Sequence, residues 1–278
     1  MMKSRNMTLV SFLLLFAIAI SCSSTLTEEE RLAEYAKHEV EFLKGFNHWE
    51  TREAAIEKFK KWLVEDTCTF YYGFPFLKDS MDISIVNSDD DNIRIYSWDD
   101  YSGGTMLCCE NIIQYRSDGK LKTFKGAVCD IEASEKEKEY SSGCRTNKIH
   151  TFQRNDSTIV YVADSYHRAS SMYTSIELNA FCVTNGKLNL VTDMFVSPQG
   201  KITAEVTTVY FYSMDEDETF YYDKEFQIFY VPPGAEETDE SIKAKDLNYL
   251  YRFNGYQFVY FGNDEDFIGK RIIKNKKN

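Results

Sequence analysis

"TSIELNAFCVTNGKLNLVTDMF", Thr174 to Phe195, decides how the fold is read. Its β-branched and aromatic residues follow a strand period. Asn185-Gly186 interrupts them with two residues that accept the positive φ of a tight hairpin turn. Working outward, the same composition recurs in "SMDISIVNS" (80–88), "NIRIYSW" (92–98), "NIIQYRSDGKLKTFKG" (111–126) and "KIHTFQR" (148–154). It recurs again in "STIVYVADSYH" (157–167), "KITAEVTTVYFYS" (201–213), "TFYYDKEFQIFYV" (219–231) and "YLYRFNGYQFVYFG" (249–262). Asp118-Gly119 and Asn254-Gly255 supply further turns. "TCTFYYGFPF" (67–76) reads as the first strand of the series. No strand–helix–strand rhythm follows Thr67, which weighs against a dinucleotide-binding sheet. The runs echo one another without a fixed period, so a solenoid is not expected. The expected fold is mainly β, α+β overall. It is a twisted antiparallel sheet, sandwich-like or partly rolled, with a small β-propeller as the alternative.

Two helices precede it. In "STLTEEERLAEYAKHEVEFLKGF" (24–46), Leu32, Tyr35, Ala36, Val40 and Leu43 recur at helical spacing, and Gly45 and Asn47 end the run. "ETREAAIEKFKKWLVED" (50–66) repeats the period with Ile56, Phe59 and Leu63, and Thr51 is its expected cap.

The first residues read as an export signal. Lys3 and Arg5 precede an uncharged apolar run, Met7 to Ile20, too short and wrongly flanked for a membrane span. "AISC" then resembles a bacterial lipobox, with Ala19 where Leu is usual. The resemblance implies cleavage before Cys22 and acyl chains, palmitate among them, at that residue. Each buried CH₂ contributes about 0.8 kcal/mol, so two or more chains would hold the protein on a membrane. The expected organisation is a signal peptide over 1–21, an anchored linker with two helices over 22–66, and a β domain over 67–278. "TEEE", Thr27 to Glu30, resembles the export tags of surface-exposed lipoproteins in Bacteroidetes-type bacteria, and it also suits the start of a helix.

A net charge of −12 argues against nucleic acid as a partner, which needs a basic surface. The basic cluster Lys270 to Lys277 reads as a solvated tail. With Cys22 acylated, six cysteines remain, and an oxidising compartment favours pairing. Cys129 and Cys144 flank a polar, highly charged loop and are the expected pair; closing it would contribute about 3 kcal/mol. No cysteine–histidine set has zinc spacing, and no cofactor is implied.

Candidate chemistry is sparse. His38, His48, His150 and His167 are the only histidines. His167 lies near Asp164, Ser165 and Ser170, but no nucleophile-elbow motif accompanies them. The acidic turns Asn87 to Asn92, Asp215 to Glu218 and Asn263 to Asp266 lack the glycine of a calcium loop. Asp99 and Asp100, beside Trp98, are the pair to test for glycoside hydrolysis. In "RIYSWDDYSGGTM" (94–106), Arg94, Tyr96 and Trp98 share one strand face. With Asp99 at the end they form the candidate ligand site, and core packing by Trp98 is the competing reading. Asp99 to Gly104 would form a hairpin tip.

"RIYSWDDYSGGTM", with "ENIIQYRSDGKL", "AFCVTNGKL" and "YRFNGYQFVYFG", resembles a group of uncharacterised lipoproteins of Bacteroidetes-type bacteria, over roughly Ile83 to Gly262. Such relatives are expected to carry a histidine soon after the methionine, where this chain has Leu107 and Cys108. The resemblance implies location rather than activity. The expected function is a lipid-anchored binding or interaction module of the bacterial cell envelope. It would sit at the outer membrane, periplasmic or surface-exposed, with a glycan or protein partner and no identified catalysis. The alternatives are an envelope glycan hydrolase and an assembly factor that binds proteins through a sheet edge.

Overall fold

The computed structural model describes residues 26–133, 143–168, 170, 173–211, 220–232 and 248–263. It forms two compact units, Met1–Ser80 and Met81–Asn278. The signal-like segment, Cys22 and the Asp215 to Glu218 turn lie outside the described residues.

The first unit opens with α1, Glu28–Phe46. Thr27 caps it: its hydroxyl accepts from the Glu30 N–H at 3.2 Å, and the Glu30 carboxylate accepts from the Thr27 N–H at 2.8 Å. "TEEE" is therefore a capping box in the folded chain. The buried stripe is Tyr35, Glu39, Phe42 and Phe46, rotated from the expected one, and Leu32 is exposed. The rotation follows from Glu39. Its buried carboxylate accepts from the Tyr72 hydroxyl and, at 2.8 Å, from the Leu77 N–H, so a charge at that position is hydrogen-bonded. Helix α2, Trp49–Glu65, packs on α1 through Phe59 on Phe42, with ring centroids 4.5 Å apart. Gly45 allows this approach, because a Cβ there would lie 2.7 Å from that of Ala55. Thr51 is not the cap of α2: His48 holds that place, and the Thr51 hydroxyl donates back to the Gly45 carbonyl at 2.8 Å.

The run 67–76 corrects the expectation of a strand. It forms a 3-10 turn, Thr67–Phe70, and the start of α3, Pro75–Met81. Asp66 accepts from the Cys68 N–H at 2.9 Å, and Pro75 suits the first turn of a helix, where its missing N–H costs nothing. The strands accordingly begin later than residue 67.

The second unit is a stack of three open sheets. The first runs in the order β1 (Ser84–Asn87), β2 (Ile93–Asp99), β3 (Cys109–Ser117), β4 (Lys120–Lys125). The second comprises β5 (Arg145–Gln153), β6 (Ile159–Arg168) and β7 (Tyr173–Thr184). Beyond β7 lie β11 (Glu205–Phe211) and, at the other end of β7, β8 (Lys187–Leu190). The third contains β9 (Phe195–Val196), β10 (Ile202–Thr203), β12 (Tyr221–Asp223), β13 (Ile228–Val231), β14 (Tyr249–Phe253) and β15 (Phe258–Asn263). Its order is β10-β9-β15-β14-β13-β12. Among the described residues all strand pairs are antiparallel except β15 beside β9. Stacked layers of unequal size replace the propeller alternative, and the sandwich-like α+β expectation holds.

The middle sheet organises the cores. Phe152, Val160, Val162, Leu178 and Ala180 pack against Phe229, Tyr251, Phe253 and Phe258 of the third sheet. Ile149, Tyr161, Ala163 and Phe181 point the other way, onto Ile93, Ile95 and Ile113 of the first. Successive side chains leave a strand on opposite faces, so a sheet buried on both sides reads as continuous apolar sequence. Each such buried side chain contributes roughly 1.5–3 kcal/mol. Asp118-Gly119 and Asn185-Gly186 take positive φ as expected and close the β3–β4 and β7–β8 hairpins. At the third turn the Asn254 side chain accepts from the Tyr256 and Gln257 N–H groups, both at 2.9 Å.

Candidate functional site

Strand β2 places Arg94, Tyr96 and Trp98 on one face, as expected, but that face is not a platform for a ligand. The three are 5%, 0% and 1% exposed. The Tyr96 hydroxyl donates to Gln114 Oε1 at 2.8 Å, and the Arg94 guanidinium lies 5.3 Å over the Tyr96 ring. Burial pushes the Tyr96 hydroxyl pKa up and that of the guanidinium down. The ligand reading for Arg94, Tyr96 and Trp98 is thus corrected to packing.

Asp99 and Asp100 form the following bend. Asp99 Oδ1 accepts from the Tyr101 N–H at 2.8 Å and Asp100 Oδ1 from the Ser102 N–H at 2.7 Å. Such Asx turns use carboxylates to shape backbone. Gly103 is required there, since a Cβ would lie 2.6 Å from both Cys108 Sγ and the Met106 carbonyl oxygen. The strand resumes at Cys109, beyond the expected tip of Asp99 to Gly104.

Cys129 and Cys144 meet, which the sequence anticipated, but as free thiols and not as a bridge. The buried Cys144 thiol shares a hydrogen bond with Cys129, and that bond, then burial, raises it well above its ordinary value. Hydrogen-bonded sulfurs stand farther apart than the roughly 2.05 Å of an S–S bond. Cys108, Cys109 and Cys182 are free as well, whereas Cys68 is disulfide-bonded.

Asp164 and His167 do not converge. Three residues apart on β6, they leave it on opposite faces. His167 Nδ1 lies 3.0 Å from the Gly143 carbonyl oxygen, and Asp164 pairs in register with Lys148 and Leu178. The acids of the Asn87 to Asn92 turn are held by protein groups, Asp89 by Lys224 at 3.4 Å. Asp90 accepts from Ser88, Asn92 and, at 2.9 Å, the Tyr161 hydroxyl. Burial raises the Asp90 pKa, but these bonds outweigh it and hold the carboxyl below its ordinary value. Among the described residues, no three histidine, cysteine or acidic side chains gather as a metal set, and no helix is long and apolar enough to cross a membrane.

The strongest candidate site was not anticipated. An open cleft of about 310 Å³ runs beside β11. Glu205, Val206, Thr207, Thr208 and Val209 form one wall; Val231, Tyr249 and Tyr251 form the other, and Phe195 with Ser197–Gln199 closes one end. The chain crosses from the third sheet to the second at Ala204, whose carbonyl accepts from the Ala180 N–H at 3.0 Å. That crossover sets Tyr249 and Tyr251 of the third sheet across from the last strand of the second. Among the described residues Glu205 is the only carboxylate in the lining, and Asp99 and Asp100 are not part of it. The walls come from well-separated stretches of the chain. The high tyrosine content of the strands was their only trace in the sequence. No family model, curated protein or solved structure matches this chain.

Proposed function

We propose that this protein is a binding module of the bacterial cell envelope, anchored at the outer membrane through acyl chains on Cys22, with the β11 cleft as its ligand site. The cleft is the observation that carries the reading. Its volume suits a ligand pocket, and its lining combines aromatic and aliphatic side chains with a few polar groups. Tyrosine supplies such contacts well, because its ring packs while its hydroxyl bonds. Hydrolysis of glycans by paired carboxylates has less support. It needs two carboxyls about 5 to 9.5 Å apart, and among the described residues the cleft lining contributes Glu205 alone.

The experiment is retention of the mature chain on a glycan array and on a peptide array, beside a Val206→Arg variant that fills the cleft. The reading expects the parent to be retained on at least one array and the variant, folded by circular dichroism, to be lost from it. A folded parent retained on neither array, or retained equally well with the cleft filled, overturns it.

A further inference from the structure

We infer that the cleft takes an extended peptide of another protein, which adds to the middle sheet as a strand alongside β11. The inference rests on the cleft being the binding site and names the class of its ligand.

The register of β11 sets which backbone groups are open. Ala204 and Ala180 form a hydrogen-bonded pair, so Val206 and Thr208, each two residues further along, also direct their backbone groups to β7. Those of Glu205, Thr207 and Val209 then point to the open edge. The Thr203 hydroxyl donates to the Glu205 carbonyl at 2.6 Å. From Thr207 through Val209, no described residue meets the outward groups.

Among the described residues the edge is also unguarded. Sheet proteins blunt exposed edges with lysine, proline, bulges or short strands. β4 carries Lys120, Lys122 and Lys125, and β12 and β10 are only three and two residues long. β11 is seven residues, EVTTVYF, in unbroken register, without proline or lysine.

A strand added beside β11 would lie about 4.8 Å from it. Alternate side chains of that strand would face Val231, Tyr249 and Tyr251 across the cleft. Main-chain bonds would supply affinity and the cleft specificity for an apolar residue at every second position. Charge selects among occupants. A chain of net charge −12 with Glu205 at the cleft favours a neutral or basic peptide and opposes edge pairing with a second copy of itself.

The test is fluorescence anisotropy with the full mature chain. The probe is a labelled peptide of about ten residues, a strand's length, alternating valine or tyrosine with threonine and lysine. A second peptide of the same sequence is N-methylated on the amides of one edge. N-methylation should weaken binding at least about tenfold. Thr207→Pro, which removes an outward donor, should do the same with an unchanged melting curve, and Glu205→Lys should weaken the lysine-containing peptide at low salt. If Thr207→Pro unfolds the chain, the N-methylated peptide alone decides. Binding indifferent to N-methylation, or glycan retention with no peptide binding, overturns the strand-addition inference while leaving the binding module standing. Retention of neither class defeats both.

Discussion

His150 and Asp164 share the inner face of the β5–β6 pair as diagonal neighbours, His150 opposite Val162 and Asp164 opposite Lys148. Each is 2% exposed. Neither His150 ring nitrogen nor Asp164 Oδ1 has a hydrogen-bond partner among the described residues. The rings of Tyr222 and Phe229 stand edge-on to the imidazole, 5.2 and 5.0 Å away. One buried sheet face thus holds both an acid and a base.

Burial raises the Asp164 carboxyl to about 7, against a smaller opposing pull from Lys148. The folded chain therefore binds a proton that the unfolded chain has released between about pH 4 and pH 7, and stability falls as pH rises through that window. The span corresponds to about 4 kcal/mol. Asp164→Asn should remove this loss and melt higher than the parent at pH 8 by urea titration. A variant that matches or falls below the parent there would show the carboxyl to be ionised and solvated.

Burial likewise lowers His150 to about 3, with Lys148 adding to the shift. Here the unfolded chain binds the extra proton, so stability falls as pH drops from about 6.5 toward 3. His150→Phe should flatten that acid limb and leave a net decline with rising pH from Asp164. Melting curves from pH 4 to 8 distinguish the two residues, because their limbs have opposite sign.

Trp98→Ala should cost about 3 to 5 kcal/mol, since the ring is buried. Chemical denaturation measures it. A parent-like midpoint would return Trp98 to the candidate ligand site.

Oxidised glutathione should join Cys129 to Cys144, and the bridged chain should gain about 3 kcal/mol. Peptide mapping without reduction reads the outcome, and two thiols surviving oxidation would remove the clasp.

Cys22→Ala should release the chain from membrane fractions. Continued membrane association of the variant counts against the anchor.

Local chemistry by itself determined the β class, the two opening helices and two tight hairpin turns. Strand period, Asn-Gly and Asp-Gly steps and helical spacing act within a few residues, and that is the range a sequence displays. Thr67–Phe76 misled because its aromatics suit a strand while Asp66 and Pro75 impose helical starts. The α1 stripe misled because burying Glu39 depends on Tyr72 and Leu77, more than 30 residues away. Only tertiary structure decided that Trp98 is core, that Asp164 and His150 are buried on one sheet face, and that β11 ends its sheet beside Tyr249 and Tyr251. Those outcomes depend on which layers stack and where each sheet stops, and both are set by contacts between residues far apart in the chain.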